Sequence, residues 1–278
     1  MRKSPGDPLK IGRHDHRSSA ISSSNEHTIV VRGRDLTGEL VGSIGFTDHI
    51  WLLITGNLPS AAQRRILDAT LVAIAEHGLV PSVQASRMTL AAAPEALQGA
   101  VAAGILGCGS VILGSAEAAG QFFAQIAAQQ DAGASLDAAV TKIVQDYRTA
   151  KRAIPGYGHP LHKGQDPRAV RLLQVAAESG TAGRHGQIAT AVERLLPQLI
   201  GRPLTLNVSG AIPAVLLDAG FPLQALKGVP ILARTASLIA HLLEEQQRPI
   251  GFVLSHAAGK AIDYDGVTPA GFVPNSDT

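Results

Sequence analysis

The feature that most constrains this chain is the recurrence of apolar residues at the helical period. In "SLDAAVTKIVQDYR" the apolar positions are Leu136, Val140, Ile143, Val144 and Tyr147, a series at i, i+4, i+7, i+8 and i+11 that lays one stripe along a helix. "GFTDHIWLLITGNLPS" reads as a short helix capped by Thr47 and closed by Gly56. Ser60 then caps a second helix, 61–76, with Ile66, Leu67, Leu71 and Ile74 as its stripe. Between Pro230 and Gln247 the apolar set is Ile231, Leu232, Leu238, Ile239, Leu242 and Leu243. Alternating strand patterns are scarce, and 27–31 is the one fair candidate. The expected fold class is all-α.

The first residues, 1–26, are charged and Ser-rich with no apolar periodicity, so a flexible arm is expected there. Glycine-rich breaks near 107–114 and 201–210 suggest a hinged pair of helical domains. The expected division is a large domain over 27–114 and 205–278 and a small one over 115–204.

Hydrophobic residues make up 45% and charged residues 17% of the 278, which excludes a disordered chain. A net charge of +2 without a Lys/Arg run gives no footprint for nucleic acid, so an anionic ligand must be met by a local cluster of cations. Cys108 is the only cysteine, which rules out a disulfide within the chain and makes a reducing cytoplasm the simplest expectation. The N-terminus lacks the apolar region of a secretory signal. No apolar run approaches the ~20 residues that a membrane span needs; the nearest, 90–113, is mostly small residues suited to close helix packing. No His or Cys pair stands at metal-ligand spacing on one helix, so no metal is expected.

The chemistry is concentrated in "IPGYGHPLHKGQDPRAVRLL". Its glycines and prolines make poor helix and poor strand but a rigid loop that holds His159 in place. Gly156 and Gly158 let backbone and ligand approach closely. His162, Lys163 and Arg168 add positive charge, and Asp166–Pro167 reads as an N-cap followed by proline at N1, so Arg168 projects from the first turn of a helix. A cation beside a helix N-terminus makes an anion site. Arg234, on "PILARTASLIAHLLEE", shares one edge of its helix with His241; this reads as either a snorkelling arginine or a cation aimed into a cleft. His77 ends a helix in "AEHG", where the helix dipole favours a histidine whatever its role.

With these residues in hand, the chain resembles the citrate synthase superfamily, and most closely its short citryl-CoA lyase branch. The motifs "AEHG", "PGYGHPLHKGQDPR", "LNVSG" and "LARTASLIAHLLEE" follow one another in the family's order. The resemblance implies an all-α homodimer with a large and a small helical domain, a coenzyme A ester as substrate, and the making or breaking of the C–C bond between an acyl-CoA and a 2-oxo acid such as oxaloacetate. Carried over by position, it implies that His159 hydrogen-bonds the substrate carbonyl or hydroxyl. Arg168 and Arg234 would hold carboxylates, with His77 as a further donor and Lys260 in the place of a C-terminal arginine. Lys163, with Gly156 and Gly158, would meet coenzyme A. Two departures stand out. Leu113 or Ile112 replaces the histidine of the synthases' His-Gly-Gly motif, which favours lyase over synthase. Ser209 occupies the position of the catalytic aspartate, and a neutral hydroxyl is poorly matched to proton transfer at carbon. That leaves as alternatives a different acyl-CoA substrate or an inactive paralogue that only binds CoA esters.

Overall fold

The computed structural model describes residues 18–109, 114–158 and 164–272. A small antiparallel sheet, β1 (Ser22–Ser24), β2 (Ile29–Val31) and β3 (Arg34–Asp35), precedes a single π turn at Leu36–Leu40. Eleven α-helices follow among the described residues. These are α1 (Phe46–Thr55), α2 (Ala61–Ala75), α3 (Pro81–Ala92), α4 (Leu97–Leu106), α5 (Ser115–Asp131) and α6 (Leu136–Thr149). After them come α7 (Pro167–Glu178), α8 (Arg184–Ile200), α9 (Val208–Asp218), α10 (Gly228–Gln247) and α11 (Gly251–Ala261). The all-α expectation is met.

Local chemistry explains most of these boundaries. Ser60 and Gln63 form a reciprocal cap on α2: the Gln63 amide donates to Ser60 Oγ and the Ser60 amide to Gln63 Oε1, at 3.2 and 2.8 Å. On α1 the cap is not Thr47. The helix begins after Gly45, whose amide donates to Asp48 Oδ2 at 3.1 Å, while Thr47 Oγ1 donates to Asp68. Gly56 closes α1 in the left-handed conformation, as expected. The expected arm, 1–26, also needs correction at its end. Asn25 Oδ1 accepts from the His27 and Thr28 amides at 2.9 Å each, and this side-chain-stabilised turn folds Ser22–Ser24 back onto β2. The rest of the arm lies outside the described residues.

The chain packs as two units. The first takes the described residues up to Thr70 and Ala119–Leu226; the second takes Leu71–Ala118 and the described residues from Lys227. The glycine-rich break near 201–210 falls inside the first of these units. One reason is that the 205–210 segment is bonded to residues 156–158, which keeps α9 with α5 to α8.

In the first unit Phe122 and Phe123 of α5 are fully buried; Phe122 meets Tyr147 of α6 edge-on with ring centroids 5.0 Å apart, and Phe123 meets Tyr157 at 6.4 Å. Tyr157 also donates its hydroxyl to Ala189 O of α8 at 2.8 Å. An aromatic body and a satisfied polar tip thus fix the start of the Pro-Gly loop between two helices. Burial, with the Glu193 carboxylate adding to it, pushes the Tyr157 hydroxyl well above its ordinary pKa, so it stays a donor.

In the second unit Leu90 of α3, Ala100 of α4 and Leu242 of α10 form a core cluster. Leu223–Gln247, 25 residues long, holds an 18-residue window of mean hydropathy 1.2, enough by length and apolarity for a membrane span, contrary to the expectation from sequence. A core helix passes the same test, and here Leu238 and Leu242 are fully buried. Ile239 and Leu243, two members of the apolar set of this helix, are exposed.

A buried ion pair locks the second unit. Arg87 donates Nε to Glu245 Oε2 at 2.6 Å, Nη1 to Glu244 Oε2 at 2.7 Å and Nη2 to Arg248 O at 3.0 Å. Glu245 also accepts from the Ile250 and Gly251 amides that begin α11. Burial raises the Glu245 carboxyl, but the bonds from Arg87, Gly251 and Ile250 more than reverse this and leave it below the ordinary glutamate value. A depressed folded pKa stabilises above the unfolded value of about 4.3 and is lost as pH falls through the folded pKa. Glu245→Gln is therefore expected to cost about 3 kcal/mol at pH 7, since it leaves a buried guanidinium short of a partner. In urea melts from pH 7 to pH 3 the gap between native and variant should close; a constant gap would contradict the assignment.

Candidate active site

The first unit carries the loop of the sequence motif and the segment around Ser209, and hydrogen bonds join them. Gly158 N donates to Thr205 O at 2.8 Å, Asn207 N to Gly156 O at 3.0 Å, and Asn207 Nδ2 to Gly158 O at 2.6 Å. Tyr157 and Leu206 form an isolated antiparallel bridge. Asn207 also caps α9 by accepting from the Gly210 amide. The residues entering His159 are thus strapped to the turn that presents Ser209 at the start of α9. His159 and Lys163 themselves lie outside the described residues, as do Ile112 and Leu113.

Asp166 organises the other end of the loop. Its carboxylate is buried and takes the Arg168 amide, Arg168 Nε and Nη2, and the Val208 amide, each at 3.0–3.1 Å. The expected N-cap on Pro167 is present, and it does more than cap. One carboxylate fixes Arg168 in a two-pronged grip and starts α9, on which Ser209 is the next residue. Burial pushes the Asp166 carboxyl up; the Arg168 guanidinium, the Val208 amide and the Arg168 amide together bring it below the ordinary aspartate range. Ionised Asp166 satisfies part of the Arg168 charge, so Arg168 is a held cation and not an unengaged one.

Asp218, the next acidic residue after Ser209, is fully engaged elsewhere. It accepts from the amides of Gly183, His185 and Gly186 and pairs with His185 Nδ1, all within 2.8–2.9 Å. Those bonds, from His185 and the Gly186 amide foremost, outweigh burial and hold its pKa below the ordinary value. Asp218 is spent on the start of α8.

Beside Gly158 the same unit opens a cavity of about 430 Å³ whose walls include Ile154, Tyr157 and Gly158, and three arginines, Arg148, Arg152 and Arg202. Arg152 stacks its guanidinium 3.9 Å from the Tyr147 ring centre, and Arg148 donates to Leu199 O. No local sequence pattern marks this cluster, because the three arginines come from the end of α6, the loop after it, and the turn after α8.

The second unit holds His77, Arg234 and Lys260. Arg234 is 3% exposed, and its Nε and Nη1 have no hydrogen-bond partner among the described residues. The snorkelling alternative is thereby excluded: the guanidinium is inside. Burial pushes the thiol of the neighbouring Cys108 up, and the Arg234 charge offsets part of that rise. A buried guanidinium short of acceptors is costly unless an anion completes it. His77 lies two residues beyond the end of α2. Its neighbour Glu76 accepts Ser237 Oγ at 2.5 Å, His241 Nε2 at 3.0 Å and the Gly78 amide at 2.5 Å. Lys260 is exposed in the last turn of α11. Among the described residues no group of three His, Cys, Asp or Glu could hold a metal ion.

Comparison with known proteins decides the family. Residues 60–251 match the citrate synthase C-terminal domain family. The chain belongs to the citrate synthase family. Among solved structures, this family member is similar to the citryl-CoA lyase from Hydrogenobacter thermophilus, with a TM-score of 0.81 and 32% identity over 92% of this chain and 97% of that one. It also shares the fold of the ATP citrate lyase from Methanothrix soehngenii in complex with citrate and coenzyme A, with a TM-score of 0.72 and 22% identity over 96% of this chain and 43% of that one. Of curated relatives, the citrate/2-methylcitrate synthase of Bacillus subtilis (strain 168) is 26% identical over 211 residues, covering 73% of this chain and 53% of that protein. The chain spans about half the length of the curated relatives first matched.

Proposed function

We propose that the chain is a lyase of the citryl-CoA type, cleaving a 3-hydroxy-3-carboxyacyl-CoA to an acyl-CoA and a 2-oxo acid. The observation that carries this reading is Arg234, a buried guanidinium short of acceptors, which an anionic substrate group would complete. The extent of the likeness to the Hydrogenobacter lyase supports it. In the reaction a base takes the substrate hydroxyl proton, the C–C bond pair moves into the thioester as an enolate, and the enolate carbon takes up a proton. On this reading His159 handles the hydroxyl proton, Arg168 and Arg234 hold carboxylates, and His77 donates to the 2-oxo acid portion. The arginine-lined cavity beside Gly158 suits the phosphates of a coenzyme A ester, with Lys163 adding to it.

The same reading includes a homodimer in a reducing cytoplasm. Apolar side chains left exposed on the second unit, Leu106, Ile239, Leu243, Phe252 and Val253, support a protein partner there. Lys260 would then serve near the subunit boundary.

A second reading is favoured by Ser209 together with the full engagement of Asp218: a CoA-ester binder that does not turn over. One experiment separates the two. Citryl-CoA is incubated with the protein, His159→Ala and Ser209→Asp, and products are read by mass spectrometry. Acetyl-CoA and oxaloacetate from the native chain, lost in His159→Ala, are expected. Products from Ser209→Asp alone would establish the second reading.

A further inference from the structure

We propose that Glu76 is a positioning residue: by bridging Ser237 and His241 of α10 and closing on the Gly78 amide, its carboxylate fixes the backbone of His77 against the helix face that carries Arg234, so that both meet one small 2-oxo or 2-hydroxy polycarboxylate. This rests on the reading of His77 and Arg234 given above and extends it to a residue that touches no substrate.

The geometry comes from the helix. Ser237 and His241 lie three and seven residues after Arg234, which at about 100° per residue puts them about 60° and 20° round α10 from it. The three side chains therefore share one face. Arg234 and Ser237 are buried there, and the His241 side chain is 15% exposed. Glu76 reaches that face from a segment more than 150 residues earlier, taking the Ser237 hydroxyl and His241 Nε2 on Oε2. Its other oxygen, Oε1, accepts the Gly78 amide at 2.5 Å, and Gly78 has a φ of +67°, which a glycine adopts freely. The chain thus closes around His77, with the residue before it and the residue after it joined through one carboxylate. Burial raises the Glu76 carboxyl; the bonds from Ser237, Gly78 and His241 outweigh it and hold it below the ordinary glutamate value.

Fixing the segment matters because two groups that grip the same small ligand must be registered to a fraction of an ångström, and loss of register costs on the order of tenfold to a hundredfold. His77 lies beyond the regular backbone of α2, which ends at Ala75, and Gly78 follows it, so the Glu76 bonds act on a segment outside any helix.

The test uses the full chain and four variants: Glu76→Ala, Glu76→Gln, His77→Ala and Glu76→Ala/His77→Ala. Oxaloacetate and coenzyme A binding are each measured by calorimetry, and amide hydrogen exchange is followed at Gly78. Glu76→Ala is expected to weaken oxaloacetate on the order of tenfold, leave coenzyme A affinity unchanged and speed exchange at Gly78. Glu76→Gln, which keeps an acceptor oxygen, should fall between native and alanine. In the His77→Ala background the Glu76 change should add nothing. An equal loss in both backgrounds would overturn positioning through His77, because the carboxylate would then act independently of it. Unchanged exchange at Gly78 in Glu76→Ala would overturn the clamp alone. Native protein that binds coenzyme A but no oxaloacetate, with exchange responding as expected, would overturn the substrate reading and the proposal with it.

Discussion

Gly156→Ala is expected to lower stability by about 3 kcal/mol or more and to abolish turnover, whereas Gly158→Ala, two residues on, costs about 1 kcal/mol. Both glycines have left-handed backbone, with φ of +86° and +81°, so each substitution carries the steric penalty of roughly 1–2 kcal/mol that an L side chain meets there. The difference lies in what the new methyl group meets. At Gly156 it would stand 2.7 Å from Gly210 Cα and 3.2 Å from Gly210 N, and main chain cannot rotate away. At Gly158 the nearest atom is Leu204 Cδ2 at 3.4 Å, an ordinary contact with a side chain that can yield. Forcing Gly156 from Gly210 also strains the bonds from Asn207 N to Gly156 O and from Gly158 N to Thr205 O, each worth about 1 kcal/mol net. Those bonds strap the His159 loop to the Ser209 turn, so the functional loss should exceed what the stability loss predicts. Denaturant unfolding of both variants, with citryl-CoA turnover measured well below their midpoints, checks this. Equal destabilisation by the two substitutions would mean that the Gly156–Gly210 approach is not what holds the loop.

How far the sequence shows this arrangement depends on the range of the contact. Stripes such as Val140, Ile143, Val144 and Tyr147 are local and lead directly to buried faces. The Ser60–Gln63 cap and the Asp166–Pro167 helix start are likewise contained within four residues. The Thr47 cap fails because Gly45 offers an amide that the Asp48 carboxylate takes, and a threonine one place inside the helix cannot reach it. The apolar set of α10 covers two faces, one packed in its own unit and one, with Ile239 and Leu243, exposed, and periodicity does not tell them apart.

At the site, the residues that touch substrate on this reading can be picked out by type and by glycine frame. Those that hold them cannot. Asp166 meets Val208 across 42 residues, and Glu76 meets His241 across 165, separations that no local pattern encodes. The depth of Arg234 is hidden for the same reason. Its position at the edge of an apolar arc fits equally an arginine reaching solvent and one buried to 3%.

That depth leads to the other large effect: Arg234→Met is expected to make the protein more stable and nearly unable to bind the proposed 2-oxo acid. In the free protein the guanidinium is taken out of water with Nε and Nη1 unmatched among the described residues, a cost that folding has to bear. Replacing a buried charge by an apolar side chain of similar length is neutral or stabilising by about 1–4 kcal/mol. The same change deletes the two-pronged contact to a carboxylate in a desolvated setting, for which a loss of about 4 kcal/mol, or about a thousandfold in affinity, is expected. Arg234→Lys keeps the charge without the planar fork and should fall between on both scales. Cys108 gives a third readout: its thiol is pushed up by burial and partly pulled back by Arg234, so in the methionine variant it should titrate higher still. Opposite signs for stability and binding are what a residue kept for its ligand produces. A methionine variant that is less stable but binds oxaloacetate normally would instead make Arg234 a structural cation, and the carboxylate site would have to be sought around Arg168.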